Sequence, residues 1–104
     1  MIRSFKDKDT EAIFNGKFVR RMPKQVAPLA ARKLNQVHAA GSLEDLRIPP
    51  GNRLEALKGD RKGQHGIRIN DPWRICICRG KNGPEDVEIV DTHWDRKDEQ
   101  DASH

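Results

Sequence analysis

Arg74 occupies the middle of an alternating run, Trp73-Arg74-Ile75-Cys76-Ile77-Cys78-Arg79. Packing of Trp73 and Ile75 on the reverse face of such a strand would hold the guanidinium in place. A fixed guanidinium suits a phosphate, because its fork of donors matches two oxygens and it never deprotonates. Lys58, Arg61 and Lys62 share one glycine-flanked turn and could grip a polyanionic backbone. Asp91 and His93 end the last apolar run. A carboxylate two residues from an imidazole can share its face, raise its pKa and form an acid–base pair. Metal-free cleavage of RNA needs these parts: a base for the ribose 2′-OH, fixed positive charge at the phosphate, and an acid for the departing 5′-oxygen. Each part also has a plain reading, as a solvated strand arginine, a soluble turn or a surface histidine. His38 and His65 lack such neighbours and read as structural.

Nothing in the chain has the spacing of a metal site or a cofactor loop, so neither a metal nor a cofactor is expected. Cys76 and Cys78 lie two apart in the strand-like run, on one face but diverging too far for an easy disulfide. They read as buried free thiols in a reducing cytoplasm. The first residues, Met1-Ile2-Arg3-Ser4-Phe5, form neither a signal peptide nor a membrane span, so a cytoplasmic protein is expected, with no membrane partner.

The elements that must position these residues fall in two halves. Residues 2–6 alternate like an edge strand. Asp7 or Asp9 can cap a short helix through Ala12, Ile13 and Phe14, with Gly16 at its end. Residues 24–40 read as the best helix, with Val26, Ala30, Leu34 and Val37 in one stripe, Leu29 widening it, and Gly41 as the stop. Pro28 marks either the first turn or a kink. Residues 42–46 add a possible helical turn before Pro49-Pro50-Gly51-Asn52 breaks the chain. Strands are expected over residues 53–57, 65–70, 73–79 and 87–91, joined by turns at 58–63, 71–72 and 80–84.

Helices followed by an antiparallel meander predict an α+β sandwich, with helices on one sheet face. The other face would carry Arg68 and Arg74 on neighbouring strands. One tension is visible: alternation sets Arg74 opposite the core face but puts Asp91 and His93 in phase with Val87 and Ile89, unless the strand bulges or twists. A chain of 104 residues makes one domain, expected over residues 1–94, with residues 95–104 as a charged, disordered tail. A domain of this size has one thin core and no deep cavity, so a site should lie open on a surface.

Charge distribution agrees with a large, gripped substrate. The formal net charge is only +4, yet residues 1–41 carry nine bases against three acids, and residues 53–84 eight against three. Residues 85–101 reverse this, with eight acids and two bases. A basic body with an acidic edge suits polyanion binding, and it suits a solvated surface equally well.

With these residues in place, the chain resembles the HigB toxins, a branch of the RelE/ParE superfamily. The likeness runs from Met1-Ile2-Arg3-Ser4-Phe5 to His93. It is strongest in Pro49-Pro50-Gly51-Asn52-Arg53-Leu54, in Leu57-Lys58-Gly59-Asp60-Arg61, and in Ile67-Arg68-Ile69-Asn70-Asp71-Pro72-Trp73-Arg74-Ile75. It is most similar to the subgroup that includes the growth-regulating toxin GraT. The resemblance implies a small curved sheet with two N-terminal helices. It implies an endoribonuclease that enters the ribosomal A site and cuts mRNA. It also implies a HigA-like helix-turn-helix antitoxin, through which the pair meets operator DNA. Carried onto matching positions, it gives Lys58 and Arg74 the task of stabilising charge at the scissile phosphate, and Asp91 and His93 the proton transfers. Glu55 stands where many members have histidine, and Thr92 where many have tyrosine; both belong to the candidate site, with Thr92, Arg61, Lys62 and Arg68 in contact with RNA. Loss of an aromatic ring at residue 92 removes a surface on which a splayed base can stack, and implies a milder toxin.

Two other functions remain open at this point. One is the ParE-like branch, which inhibits DNA gyrase by binding and does no RNA chemistry. The other is a non-catalytic module that binds RNA or a protein partner.

Overall fold

The computed structural model of the chain describes residues 1–70 and 72–91. Thr92, His93 and residues 95–104 therefore lie outside the described residues, as does Asp71 of the expected turn.

The predicted α+β architecture is present. Helices α1 (Lys8–Phe14) and α2 (Ala27–Ala39) precede a sheet of four antiparallel strands in sequential order: β1 (Glu55–Ala56), β2 (Gln64–Asn70), β3 (Trp73–Gly80) and β4 (Gly83–Asp91). Asp7, rather than Asp9, caps α1, its Oδ1 accepting from the Thr10 amide at 3.2 Å. Pro28 lies in the first turn of α2, where a missing amide hydrogen costs nothing, so the helix begins at Ala27 and not at residue 24. The stripe Ala30, Leu34 and Val37 is fully buried against Ile67, Ile75, Ile77, Val87 and Ile89 of the sheet. Both helices thus cover one face of the sheet, and the opposite face is left open.

Two differences from expectation bear on the site. The first strand is two residues long instead of five, because the chain before it is occupied by another structure. Pro50–Asn52 forms a 3-10 turn, and Arg53 follows in the left-handed region at φ 48°. The residues at the N-terminus make an edge, but a parallel one. Phe5 bridges Val87, with Arg3 N donating to Pro84 O at 2.8 Å and Lys6 N to Val87 O at 2.9 Å. Further along β4 the edge is sealed by side chains. The buried Thr10 hydroxyl accepts from Ile89 N at 3.0 Å, and Arg21, held by Asp7 and Asp9, donates to Ile89 O at 3.3 Å.

A polar residue anchors the break between helices and sheet. Asn52 is completely buried; its Nδ2 donates to Leu46 O at 3.1 Å and to Gln36 Oε1 at 3.2 Å, while its Oδ1 accepts from Lys33 Nζ. Burial and the neighbouring Arg32 hold the Lys33 ammonium below its usual pKa range. Asn52 therefore ties α2 to the turn that delivers Glu55 to the sheet.

Candidate functional site

Register decides which side chains meet on the open face. Arg68 pairs directly with Arg74, and Arg74 with Val90, so these three form one row across β2, β3 and β4. The next row is Glu55, Gly66, Cys76 and Glu88. Glu55 reaches back one row and forms an ion pair with Arg74, both side chains remaining partly exposed. Among the described residues Arg68 has no hydrogen-bond or ion-pair partner.

Two like charges directly opposite one another on adjacent strands repel, typically by some tenths of a kcal/mol up to about 1. A single carboxylate on Arg74 leaves the Arg68 charge uncompensated. The arrangement therefore favours an anion that both guanidiniums can reach, and a phosphodiester has two free oxygens to offer.

The basic turn closes over the same face. Between β1 and β2, Gly59–Arg61 forms a 3-10 turn whose flanking Gly59 and Gly63 adopt φ 65° and 94°. Arg61 Nη1 donates to Gln64 Oε1 at 3.3 Å and to Glu88 Oε1 of β4 at 2.8 Å. Leu57 packs closely over Gly66: a Cβ there would stand 3.3 Å from Leu57 Cδ2. These covers explain why Cys76 is buried on the face where alternation leads one to expect solvent. Cys76 and Cys78 are both free thiols, Cys78 only half-buried. Its pKa is pushed up, first by burial and then by the nearby Asp86.

A bulge sorts the charges. Cys76 pairs with Glu88 but Cys78 with Glu85, so β4 carries one extra residue in this interval. Asp86 takes the left-handed conformation there at φ 49°, and its amide donates to Ser4 Oγ at 2.9 Å. The bulge brings Glu85 and Glu88, three apart, onto one face. The open face is consequently zoned: guanidiniums toward the β2–β3 turn, carboxylates toward the β3–β4 turn.

Of the predicted site residues, the structure brings Glu55, Arg68 and Arg74 together, with Arg61 on the adjoining strap. Lys58 and Lys62 are exposed on the turn, and no hydrogen bond joins either to Arg74 among the described residues. Asp91 pairs with Trp73, which packs in the core, so it belongs to the opposite phase from Arg74. Pairing is regular from Glu88 to Asp91, and no bulge there turns the carboxylate over. Thr92 and His93 fall outside the described residues. A cleft of about 400 Å³ lies at the other end of the sheet, between Leu43, Ile77 and Pro84, and none of the predicted residues lines it. Among the described residues no group of three or more His, Cys, Asp or Glu side chains could hold a metal ion, and no helix is long and apolar enough to cross a membrane.

Residues 3–97 match the family model described as the RelE-like toxin of the type II toxin–antitoxin system HigB. The chain belongs to the HigB-like toxin family. It is 42% identical to Toxin HigB-1 of Vibrio cholerae over 76 residues, covering 72% of this chain and 80% of that protein. An uncharacterised protein of Haemophilus influenzae is 36% identical over 73 residues, covering 70% and 71%. A HigB-like toxin of a type II system has an antitoxin as its partner.

Sequence reading missed Glu88 and Asn52 in this HigB-like chain. Glu88 gave no local signal, because its partner Arg61 lies 27 residues away. Asn52 was legible only as part of a chain-breaking Pro-Pro-Gly-Asn turn, though a lone amide two residues after the prolines could have suggested a buried anchor.

Proposed function

We propose that this HigB-like toxin cuts mRNA in the ribosomal A site, by attack of the ribose 2′-OH on the adjacent phosphate, and so arrests translation and growth. The observation that carries the reading is the facing pair Arg68 and Arg74, with a carboxylate beside it on an open sheet face. Arg68 and Arg74 take the two non-bridging oxygens of the scissile phosphate, and their fixed charge is worth most as negative charge grows in the transition state. Lys58 adds charge from the turn; Arg61 and Lys62 track the backbone, and Thr92 contributes to RNA binding.

Displaced from Arg74 by the phosphate, Glu55 is a base within reach of the 2′-OH. The 2′-oxygen–phosphorus bond forms and the bond from phosphorus to the 5′-oxygen breaks, leaving a 2′,3′-cyclic phosphate and a 5′-hydroxyl. Asp91 and His93 supply the second proton transfer; Asp91 is the last residue of β4, in register with Trp73. The side chains alone account for every proton moved, so the reaction is written without a metal ion or cofactor. A HigA-like helix-turn-helix antitoxin neutralises the toxin and carries the pair to operator DNA, and the site of action is the cytoplasm, where ribosomes and mRNA are.

Purified protein incubated with ribosomes stalled on a defined mRNA tests this reading. Cuts mapped within the A-site codon are the expected result. Intact mRNA together with blocked gyrase supercoiling would replace it with the ParE-like alternative; intact mRNA with gyrase unaffected would leave a binding module.

A further inference from the structure

The turn carrying Lys58, Arg61 and Lys62 has a glycine in the left-handed region at each end, at Gly59 and Gly63. Neither glycine has any atom within 4 Å of where a Cβ would stand. Backbone bonds close the turn itself, Leu57 N donating to Gln64 O at 2.9 Å and Lys62 N to Gly59 O at 3.1 Å, and among the described side chains of the turn it is Arg61 that ties it to the rest of the sheet. Its guanidinium reaches from the β1–β2 connection to Glu88 on β4, with β3 lying between β2 and β4, and also bonds Gln64 of β2. This pair is less exposed than the other ion pairs among the described residues: the side chains are 27% and 16% exposed, against 34% and 48% for Arg74 and Glu55. A pair of that burial, 27 residues apart in sequence, keeps its geometry better than a solvated i,i+3 pair such as Arg47 and Glu44.

We infer that Glu88 is a positioning residue of the toxin: acting through Arg61, it straps the hinged basic turn across the sheet and so sets where Lys58 and Lys62 meet RNA. The inference rests on the RNA-cutting reading above and adds a residue to it. Glu88 touches no substrate. It is a carboxylate placed beside a polyanion site, an arrangement that costs binding energy unless it secures something else. The Asp86 bulge, which turns Glu88 and Glu85 to one face, is the structural investment behind it.

The sign of one substitution separates this role from simple electrostatics. Glu88→Gln removes a negative charge near bound RNA, and on charge alone it should tighten binding. Release of the strap has the opposite effect. Two measurements are made on the full chain: affinity for a 2′-O-methylated single-stranded RNA, which cannot be cut, and amide ¹⁵N relaxation of Gly59 to Gly63. Glu88→Gln should loosen the turn and weaken binding by about fivefold or more, roughly 1 kcal/mol. The exchanged pair, Arg61→Glu with Glu88→Arg, rebuilds the strap and should restore the order of the turn, while the affinity stays low because Arg61 itself contacts RNA. Unchanged or tighter binding by Glu88→Gln overturns the proposal, whatever the turn does, and so does an exchanged pair that leaves the turn as loose as in Glu88→Gln. RNA affinity absent from the wild type would defeat the RNA-cutting reading instead. The strap would then be judged by relaxation alone, and a turn as rigid in Glu88→Gln as in the wild type would overturn it.

Discussion

Arg68 and Arg74 stand directly opposite each other on adjacent antiparallel strands, on the face that the helices leave open. Close like charges are held by the backbone register, not by attraction between the side chains. Folding alone gives no reason to place them there, since the pair opposes folding. A dianionic or diester phosphate group relieves the conflict, and so the row gains from a ligand what it costs the free protein.

Arg68→Ala should accordingly separate stability from binding. Urea denaturation should show stability unchanged or raised by some tenths of a kcal/mol, as the facing charge is removed. Affinity for uncleavable single-stranded RNA should fall, and the slope of log K against log salt should flatten by about 0.7. A variant less stable than wild type with an unaltered salt slope would mean that Arg68 is a packing residue.

Asn52→Ala should cost about 2–4 kcal/mol in the same denaturation assay, since it strands Leu46 O and leaves the half-buried Lys33 without its acceptor. Because Asn52 sits before Glu55, activity should fall with stability. A loss below about 0.5 kcal/mol would show that the buried amide is not a keystone.

How much of this was legible in the sequence follows from the range of each interaction. The alternation of residues 65–70 and of residues 73–79 already put Arg68 and Arg74 on the face away from the core, because a strand's period of two is a local property. The same reasoning found the stripe of α2. It could not find the Glu55–Arg74 ion pair, the Arg61–Glu88 strap or the capping of Ile89 N by Thr10, which depend on register between segments distant in sequence. Glu85 and Glu88 share a face only because of a bulge, and Asp86, the residue that makes it, has no turn signature of its own. The tension noted over Asp91 was real: its register with Trp73 keeps it in the core phase.

Cys78 gives a prediction about reactivity. Its raised pKa, from burial and then Asp86, means less thiolate near neutral pH than an ordinary thiol has. Alkylation by iodoacetamide at pH 8 should be slower in the folded protein than in urea. Since the folded-state pKa lies above the unfolded one, the native state holds its proton longer, and this contribution to stability is lost as pH rises through the folded value. Cys78→Ser should remove that alkaline loss; a Cys78 alkylated as fast in the native protein as in urea would contradict the burial.

Thr10→Val keeps the shape of the side chain but deletes the acceptor for Ile89 N at a fully buried site. The expected loss is about 1–3 kcal/mol by thermal or chemical denaturation, with the Ile89 amide exchanging faster in deuterium. Wild-type stability in this variant would mean that the edge of β4 finds another acceptor.

The central claim is that Arg74 stabilises charge at the scissile phosphate. Single-turnover cleavage of a defined mRNA in stalled ribosomes, wild type against Arg74→Ala, tests it most directly. The variant should fold with wild-type order and cut about 100- to 1,000-fold more slowly. Cleavage by Arg74→Ala at the wild-type rate would contradict the claim and remove Arg74 from the site.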